Sequence, residues 1–497
     1  HAVNEYAATS DERHALAVME INWELPNEWL LTSVGSYQRT KLKRDYDSDQ
    51  SEVVGQNQYV VSDIDGAWNL ELRLQSTGNA FWDWTAGIFY QDSDADTPVF
   101  VDNYVVAAAP VIYQAILAEV SGPAVNDAED KAAFLHNAFH LSENGTLTVG
   151  IRYNELDRFN EQVFLQEAFL LIGGEEIGPV DVQEIEGVPP DKKDLEYDAW
   201  SGTLKYQHQL QQDLMIYASY DRGWRSGSAN IAGQPAPPVW ADFDEEISDN
   251  FELGLKWGFG EGRGLFNASV YYQVYDDFHF SADNVLYVAP DGSFAQGSPV
   301  VNADEVVSQG FELELSYLLT ENWTLNTSLS YNNTEFEKFP DAPCNDPWQP
   351  LVNPGDFATC DLEGEPAGNQ PEWSGVVVSE YFSTMGESGW EWYLRGLLKA
   401  EDERDDTDTG LEVDSYAFVD LFTGVRSTDG RWDVSIWAKN LFDEDTVLNY
   451  SPTIPVPDYS RVGQVADEPL ATLDTGLTRI ENLLAPRTLG ATLRLQF

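Results

Sequence analysis

Apolar and polar residues alternate strictly in many short segments along this chain. In residues 250–257, aromatic and aliphatic side chains occupy every second position, with polar or small residues between them. Residues 266–275, 310–317 and 432–439 have the same period of two. Successive side chains of a β-strand point to opposite faces, so this period predicts strands. The predicted strands, seventeen in number, lie near residues 14–25, 29–40, 65–76, 81–91, 131–141, 146–158, 198–209, 214–223, 247–259, 264–276, 306–318, 323–335, 371–382, 389–400, 414–427, 431–440 and 485–497.

The connections between the predicted strands alternate between short and long. This parity is typical of an antiparallel transmembrane barrel, which has tight turns on one side of the membrane and long loops on the other. Each strand also has about the 9–11 residues that a tilted strand needs to cross a bilayer. The predicted fold class is therefore all-β, a transmembrane barrel with an apolar face toward lipid and a polar face toward its lumen. The short connections are 26–28, 77–80, 142–145, 211–213, 260–263, 320–322, 384–388 and 428–430, and the long ones are 41–64, 92–130, 159–197, 224–246, 277–305, 336–370, 401–413 and 441–484.

Acidic residues dominate the composition. Among 497 residues there are 27 Lys and Arg against 85 Asp and Glu, which gives a formal net charge of −58. Nucleic-acid binding needs a basic surface that this composition lacks, so no nucleic-acid partner is expected. A hydrophobic content of 42%, with 13% aromatic residues, argues against a disordered acidic polymer.

The acidic run at residues 401–408 has two interpretations. It is either solvated loop surface or a calcium site, in which the carboxylates act as structural ligands or bridge to anionic lipid headgroups. No segment has the spacing of an EF-hand. No cofactor other than Ca²⁺ is expected. The candidate calcium ligands are Asp402, Asp405, Asp406 and Asp408.

The chain has two cysteines, Cys344 and Cys360. Two are too few for a disulfide-dense scaffold or a cysteine-rich zinc site. By themselves they either close one local loop or remain free thiols. No nucleophile elbow, phosphate loop or zinc-protease pattern occurs in the sequence, so no enzymatic activity is expected.

Several segments resemble a known family when they are taken in chain order. The most telling is residues 213–227, DLMIYASYDRGWRSG, and residues 247–256, ISDNFELGLK, follow it. These segments resemble strands in the C-terminal part of the barrel of TonB-dependent outer-membrane receptors. The further segments that resemble the family are 70–75 with 84–90, 310–315, 438–443 and the closing strand 486–497.

The resemblance implies a fold and a location. The family barrel has 22 strands, preceded by a plug and an energy-coupling box, whereas seventeen strands are predicted here. We therefore expect residues 1–497 to form one barrel domain of this type, without the first five strands, the plug and the box. The implied location is the outer membrane of a Gram-negative bacterium. The terminal Phe497 resembles the signal by which such barrels are inserted.

The resemblance also implies a function. Family members take up a scarce ligand with energy coupling, and their ligands are ferric siderophores, haem, cobalamin and glycans. The implied partners are a TonB-type energy-coupling complex that acts through the plug, the lipid and lipopolysaccharide of the outer membrane, and the barrel-assembly machinery. The strong negative charge favours a neutral or cationic ligand, or a glycan, over an anionic chelate.

Candidate ligand-binding residues lie where the family has its external vestibule. Arg222, Trp224 and Arg225 end a strand on that side and either contact a ligand or contact acidic loops. Aromatic residues in the acidic loops suit flat, polar-rimmed ligands, and the alternative is that they pack the loops together. The oxidising periplasm through which such proteins fold favours a structural disulfide between Cys344 and Cys360. The aromatic candidates are Trp240, Phe278, Phe280, Tyr287 and Trp348.

Three other functions fit parts of this sequence. A passive porin-like channel would have the same strands. A surface binding or adhesion barrel could assemble through acidic loops and Ca²⁺. A soluble all-β enzyme would need the apolar faces to be buried against another layer of protein.

Overall fold

A computed structural model describes the protein over residues 9–26, 28–47, 57–76, 78, 81–96, 99–109, 114–122, 124–162, 164–172, 175–185, 192–230, 237–282, 285–289, 292, 294–344, 349–406, 411–451, 456–457, 472–473 and 479–496. Its main feature is an antiparallel sheet of seventeen strands, each paired with the next along the chain. The strands are β1 Thr9–Leu25, β2 Trp29–Asp47, β3 Asn57–Ser76, β4 Trp82–Asp96, β5 Ala124–Ser142, β6 Gly145–Gln162, β7 Lys192–Gln211, β8 Leu214–Arg225, β9 Glu246–Phe259, β10 Gly264–Ser281, β11 Val300–Thr320, β12 Trp323–Lys338, β13 Trp373–Thr384, β14 Trp390–Glu401, β15 Tyr416–Ser427, β16 Trp432–Lys439 and β17 Thr488–Leu495.

The seventeen predicted strands are confirmed, and so is the alternation of short and long connections. The structure extends several strands on the side of the long connections, so that β11 begins at Val300 and not near residue 306. The outgoing and returning chains continue to pair there, because the backbone groups of a hairpin satisfy one another wherever the two chains stay adjacent. Among the described residues, β1 pairs only with β2, and β17 pairs only with β16.

Four further strands lie where long connections were predicted. Val99–Ala109 pairs with the first residues of β3, on the side of the long connections. The pairing is extended by Gln114–Gly122, Phe164–Ile172 and Glu175–Ile185. The prediction of loops over 92–130 and 159–197 was therefore incomplete. These strands contain consecutive apolar residues, such as Val-Val-Ala-Ala-Ala at 105–109, so a period of two does not reveal them.

One face of the sheet is apolar and bare. Phe251 and Leu253 on β9 are 52% and 57% exposed, and none of the described residues forms a second layer against them. A protein in water would expose a continuous apolar surface of this size only at a binding site. The apolar face is therefore the lipid-facing outer face, and the opposite face is the inner face. In the described part of the chain, no helix has the length and apolar character needed to cross a membrane.

Tryptophans mark the short-turn side of the outer face. Trp29 at the start of β2 packs edge-on against Trp84 of β4, with ring centroids 5.3 Å apart. Trp323 begins β12 and Trp390 begins β14. Aromatic rings of this kind concentrate at membrane interfaces, where one part of the ring system is apolar and the N–H is wet. An aromatic girdle is thus present at that end of the strands.

The inner face carries rings that lie flat against the wall. Tyr217 on β8 covers Gly254 on β9, and a Cβ built at Gly254 would come within 2.6 Å of the Tyr217 hydroxyl oxygen. Tyr217 donates its hydroxyl hydrogen to Glu252 on the same face. Glycine is required here because any larger residue would push the ring into the lumen.

Candidate functional site

The two faces of strands β3–β8 differ in charge. Residues that are paired across two adjacent strands lie on the same face of the sheet. Ile151 on β6 is exposed on the outer face. Arg152, the next residue, therefore belongs to the inner face. On β3–β7 the same parity places five cationic side chains on the inner face, where the carboxylates of Glu71, Asp83 and Asp130 also lie. The five cations are Arg73, Arg152, Arg158, Lys193 and Lys205.

Carboxylates line the outer face of the same strands beyond the aromatic residues. Asp92 on β4 pairs with Trp68, which is an exposed outer-face residue, and Asp92 also faces Glu129 on β5. The row continues along β6 and β7. Its members are Asp92, Asp94, Asp127, Glu129, Glu155, Asp157, Asp194, Glu196 and Asp198, and the cation Lys131 lies among them. The acidic surplus on these strands thus faces away from the lumen.

A recess in the inner wall brings several of the inward-facing polar groups together. It has a volume of about 760 Å³, and its polar lining comes from strands β3 to β10. Gly150 contributes to its floor, and a Cβ there would lie 2.9 Å from the Thr203 methyl carbon. Volumes of this order are typical of ligand sites. The residues that give the recess its chemistry are Glu71, Arg73, His136, Arg152, Asp221 and Gln273.

Arg152 is the most strongly positioned side chain in this recess. Its guanidinium carbon lies 5.1 Å from the centroid of the Phe89 ring and 5.8 Å from that of Phe134. Its Nε donates a 2.8 Å hydrogen bond to Oδ1 of Asn154, which is 5% exposed. Asn154 in turn donates to Asp130 Oδ1 at 2.9 Å. Cation–π contact with two rings and one buried amide hold the guanidinium in place.

Arg73 and His136 lie beside Arg152 in the recess. Arg73 Nη1 is 3.3 Å from Glu71 Oε1, and its Nε is buried without a hydrogen-bond partner among the described residues. His136 is exposed on the inner face of β5. The recess therefore contains two guanidinium groups and one imidazole in a chain that is acidic as a whole.

Above the wall, three connections form one packed unit, which we name the cap. It comprises residues 226–230, 237–245, 282, 285–289, 292, 294–299, 339–344 and 349–372. Trp240 of the first connection packs on Tyr287 of the second and on Phe357 of the third, with ring centroids 5.4 Å and 4.9 Å apart. Val288 donates a backbone hydrogen bond to Asp356, and Ala358 donates one to Leu286. The third connection is therefore added as a strand to the hairpin of the second.

A disulfide and a second aromatic cluster complete the cap. Cys344 and Cys360 are bonded, with Cα atoms 5.8 Å apart, which confirms the predicted disulfide. Phe280 at the end of β10 packs edge-on against Phe336 and Phe339, at 5.6 Å and 5.3 Å between centroids. Phe278 contacts the same cluster. The cap thus has an apolar core of its own.

The predicted aromatic ligand residues serve this core. Trp240 and Tyr287 are 2% and 1% exposed, so their rings are covered by other loop residues and not presented to a ligand. Of the two interpretations that the sequence left open for these aromatics, loop packing is the one that this geometry supports. Trp348 lies outside the described residues.

The three candidate ligand-binding residues at the end of β8 do not share one face of the sheet. Tyr220 stacks against the exposed Phe251, and Arg222 lies on the same face, where it forms a 2.7 Å ion pair with Asp249. The period of two places Trp224 there as well. The side chains of Arg222 and Trp224 therefore lie on the outer face, and their role in ligand binding stays a prediction. Arg225 lies on the inner face, where Nη2 is 2.6 Å from Oε2 of the buried Glu246.

The strand β10 changes face at Asp277, which has a positive φ of 56° and lies beyond the membrane-spanning part of the strand. Glu246 Oε2 accepts a 2.9 Å hydrogen bond from the backbone N–H of His279 just after this residue. Partial burial, followed by the carboxylates of Asp244 and Asp276, raises the pKa of Asp277. The base of the cap therefore brings the carboxylates of Asp244, Asp276 and Asp277 close together.

The predicted calcium ligands are dispersed. Asp406 is buried and accepts a 3.4 Å hydrogen bond from the backbone N–H of Tyr450, whereas Asp402 accepts one from Glu403. Within the described ranges, no three side chains of His, Cys, Asp or Glu lie close enough to hold a metal ion. Asp408 and the insertion-signal residue Phe497 fall outside those ranges, and the calcium hypothesis stays a prediction.

Sequence reasoning missed Arg73, Arg152 and His136 as site residues. The signal was available in the pattern, because each lies next to an outer-face apolar residue in a predicted strand: Leu72, Ile151 and Leu135. What the pattern does not give is which inward residues from different strands lie side by side, because that depends on the pairing register.

Comparison with known proteins identifies the family. Residues 3–441 match the family described as TonB dependent receptor-like, beta-barrel. A segment of 129 residues, 26% of this chain and 14% of the relative, is 30% identical to the ferric-pyoverdine 358 receptor of Pseudomonas putida.

Two solved structures share the fold. The ferric yersiniabactin uptake receptor FyuA of Yersinia pestis has a TM-score of 0.65 at 16% identity, over 99% of this chain and 61% of that protein. The siderophore receptor PiuA of Acinetobacter baumannii has a TM-score of 0.60 at 13% identity, over 88% of this chain and 62% of that protein. This chain therefore spans less than two thirds of the length of each relative. Because the family match covers most of its residues, the chain belongs to the TonB-dependent receptor-like β-barrels, which are outer-membrane proteins of Gram-negative bacteria.

Proposed function

We propose that this chain is the barrel of a receptor that takes up a ferric siderophore across the outer membrane with TonB-type energy coupling. The observation that carries the proposal is the family match over residues 3–441. The choice of a siderophore as the ligand rests on the segment that is 30% identical to a ferric-pyoverdine receptor. The partners in this proposal are an energy-coupling complex acting through a plug, lipopolysaccharide around the barrel, and the barrel-assembly machinery.

The geometry of the barrel supports an anionic or polar cargo. Most carboxylates of β4–β7 face outward, with Asp83 and Asp130 as inward exceptions, whereas Arg152, Arg158, Lys193 and Lys205 face inward and Lys131 faces outward. The net charge of −58 therefore does not describe the surface that a cargo would pass. The net negative charge of the sequence disfavours an anionic chelate as cargo. Charges on the inner wall lie nearer to a cargo than the screened charges of the outer face, so they act on it more strongly.

Uptake of radiolabelled ferric pyoverdine by iron-limited cells tests the proposal. Cells that express the gene should accumulate iron saturably, and deletion of the gene or of the TonB-type coupling protein should abolish the accumulation. Uptake that persists without the coupling protein would instead indicate a passive channel. Uptake of haem, cobalamin or a glycan without uptake of ferric pyoverdine would contradict the siderophore assignment. The assignment as an energy-coupled receptor would then still hold.

A further inference from the structure

We propose that a second copy of this chain docks side by side on the outer face of strands β1–β5, about a two-fold axis that runs along the membrane normal near β3. The inference goes beyond the proposed function and does not depend on the transported ligand. It rests on two features of this face, which are its charge pattern and an apolar groove.

The outer face of β1 and β2 is basic on the side of the long connections. The exposed Trp68 on β3 pairs with Tyr37 on β2, which pairs with Ala17 on β1, so all three lie on the outer face. From there to the start of β1 the pairing has no register shift, and the period of two assigns every second residue to the same face. The side chains of Asp45 and Asp47, at the end of β2, lie outside those that the structure describes. The described charged residues of this face, which we name the basic sector, are Arg13, Arg39, Lys41, Lys43 and Asp11.

The outer face of β4 and β5, on the other side of β3, is acidic. Within each group one ion pair forms along a single strand, Arg13 with Asp11 and Lys131 with Glu129, so an excess of one sign remains on both sides. The two groups are equal in size and opposite in sign. The described outer-face side chains of β3 between them are the uncharged Trp68, Leu70, Leu72, Leu74 and Ser76. The described charged residues of β4 and β5, which we name the acidic sector, are Asp92, Asp94, Asp127, Glu129 and Lys131.

A two-fold axis near β3 brings the two sectors into contact. They begin at the same level, because Trp68 pairs with Tyr37 on one side and with Asp92 on the other. Rotation by half a turn places the basic sector of each copy opposite the acidic sector of the other, and a contact of this type closes after two copies. Complementary charges favour this orientation over others. An anionic lipid headgroup would suit the basic sector but would be repelled by the acidic sector beside it, whereas a second copy matches both.

An apolar groove lies on the same face beside β3. It has a volume of about 610 Å³ and is lined by residues of β1–β4. Its floor is open at Gly35, where the nearest non-neighbouring atom to an added Cβ would be the Asn69 carbonyl oxygen at 3.9 Å. Trp68 stands at its edge, 58% exposed, with its ring centroid 4.7 Å from that of Tyr37. The proposed axis lets Trp68 of each copy enter the groove of the other. Lipid gives apolar surfaces no hydrophobic driving force to associate, so association in a membrane depends on such packing and on polar contacts.

Cysteine cross-linking in the outer membranes of cells that express the full chain tests the proposal. Leu70 is an exposed outer-face residue of β3, near the proposed axis, so Leu70→Cys should give a dimer with a short bis-maleimide reagent. The matched control is Leu329→Cys. Leu329 is exposed on the outer face of β12, far along the sheet from β3, and its substitution should give little dimer.

Charge reversal separates a protein partner from a lipid. In the Leu70→Cys background, Lys41→Glu with Lys43→Glu should reduce cross-linking at least about tenfold, because like charges then meet. Asp92→Lys with Asp94→Lys should reduce it for the same reason. Co-expression of these two variants with different tags should restore cross-linking as a mixed dimer, because both contacts of that dimer are again complementary. A lipid headgroup cannot produce this recovery.

Two further variants serve as controls. Glu196→Lys with Asp198→Lys reverses carboxylates on the outer face of β7, outside the contact, and should leave cross-linking within about twofold of the unreversed protein. Gly35→Leu fills the groove and should reduce cross-linking without any change of charge, which keeps the proposal testable if a charge variant does not fold.

Three results would overturn the proposal. The first is cross-linking of Leu70→Cys that does not exceed that of Leu329→Cys. The second is the absence of mixed dimers from the two charge-reversed variants. The third is copurification of a phosphorylated lipid with the native chain that is lost in Lys41→Glu with Lys43→Glu while no mixed dimer forms, which would assign the basic sector to lipid.

Discussion

The membrane wall and the cap use the same aromatic and aliphatic residues in opposite ways. On the wall, Phe251 and Leu253 are more than half exposed, and their neighbours in the adjacent strands extend the same bare face. In the cap, Trp240 and Tyr287 are almost fully buried against each other and against Phe357. Hydrophobic burial in water explains the cap, whereas the wall has its apolar face toward a solvent that is itself apolar.

This comparison shows that stability has two separate origins in one chain. The wall is held by inter-strand hydrogen bonds that lipid leaves without competitors. The cap is held as a small water-soluble domain is held, by an apolar core and one disulfide. Substitutions should therefore affect the two regions independently, and by different physical mechanisms.

Truncation of the cap core should have the largest effect. Trp240→Ala should lower the free energy of opening the cap by about 3–5 kcal/mol, because it removes a large ring from a packed cluster. Hydrogen exchange at the backbone N–H of Val288, which bonds to Asp356, measures this opening. Val239→Ala is the matched control, since Val239 is 65% exposed and its truncation should be nearly neutral. Equal protection in both variants would contradict an independent cap core.

A charge on the outer face should have the next largest effect. Leu253→Arg should destabilise the barrel in lipid vesicles by about 2–4 kcal/mol, because a guanidinium would be placed in hydrocarbon. Urea unfolding of the inserted protein measures the loss. Ser269→Arg puts the same group on the inner face, opposite Glu312, and should be tolerated. If the two arginines cost the same, the faces are wrongly assigned.

Loss of the disulfide should loosen the cap and leave the wall unchanged. Replacing Cys344 and Cys360 by serine frees a loop with a sequence separation of 16 residues, which corresponds to about 3 kcal/mol on the chain-entropy estimate. Exchange at the backbone N–H of Ala358 should accelerate, with an unchanged urea midpoint for the strands. A shifted midpoint would show that the cap and the wall unfold together.

The smallest effect should come from Asp277 at the base of the cap. Its pKa is raised in the folded protein, so ionisation of this carboxyl group lowers the free energy of unfolding as pH rises above the usual carboxyl range. Asp277→Asn should therefore slow exchange in the cap at neutral pH, and the difference should vanish in acid, where both side chains are neutral. Asparagine also tolerates the positive φ of this position. If Asp277→Asn slows exchange equally at neutral and acidic pH, the effect comes from the backbone conformation and not from the charge of the carboxylate.

The wall could be predicted from the sequence in detail, and the site could not. Alternation in segments such as residues 250–257 shows both the strand and its lipid-facing side, because the period of two is a local property. The same rule assigns Arg222 to the outer face, once Phe251 is known to pair with Tyr220. Which inward groups meet across strands depends on register over residues far apart in the chain, as for Arg73 and Arg152 in the recess.

The sequence by itself determined the strands, the parity of the connections and the family, since each depends on short-range pattern. Only the tertiary structure decided that the loop aromatics form a closed core, that most carboxylates of β4–β7 lie on the outer face and most of their cations on the inner face, and that two aromatic rings and Asn154 hold Arg152. The physical reason is that burial and charge pairing depend on distances between side chains, and those distances are set by how distant strands and loops pack together.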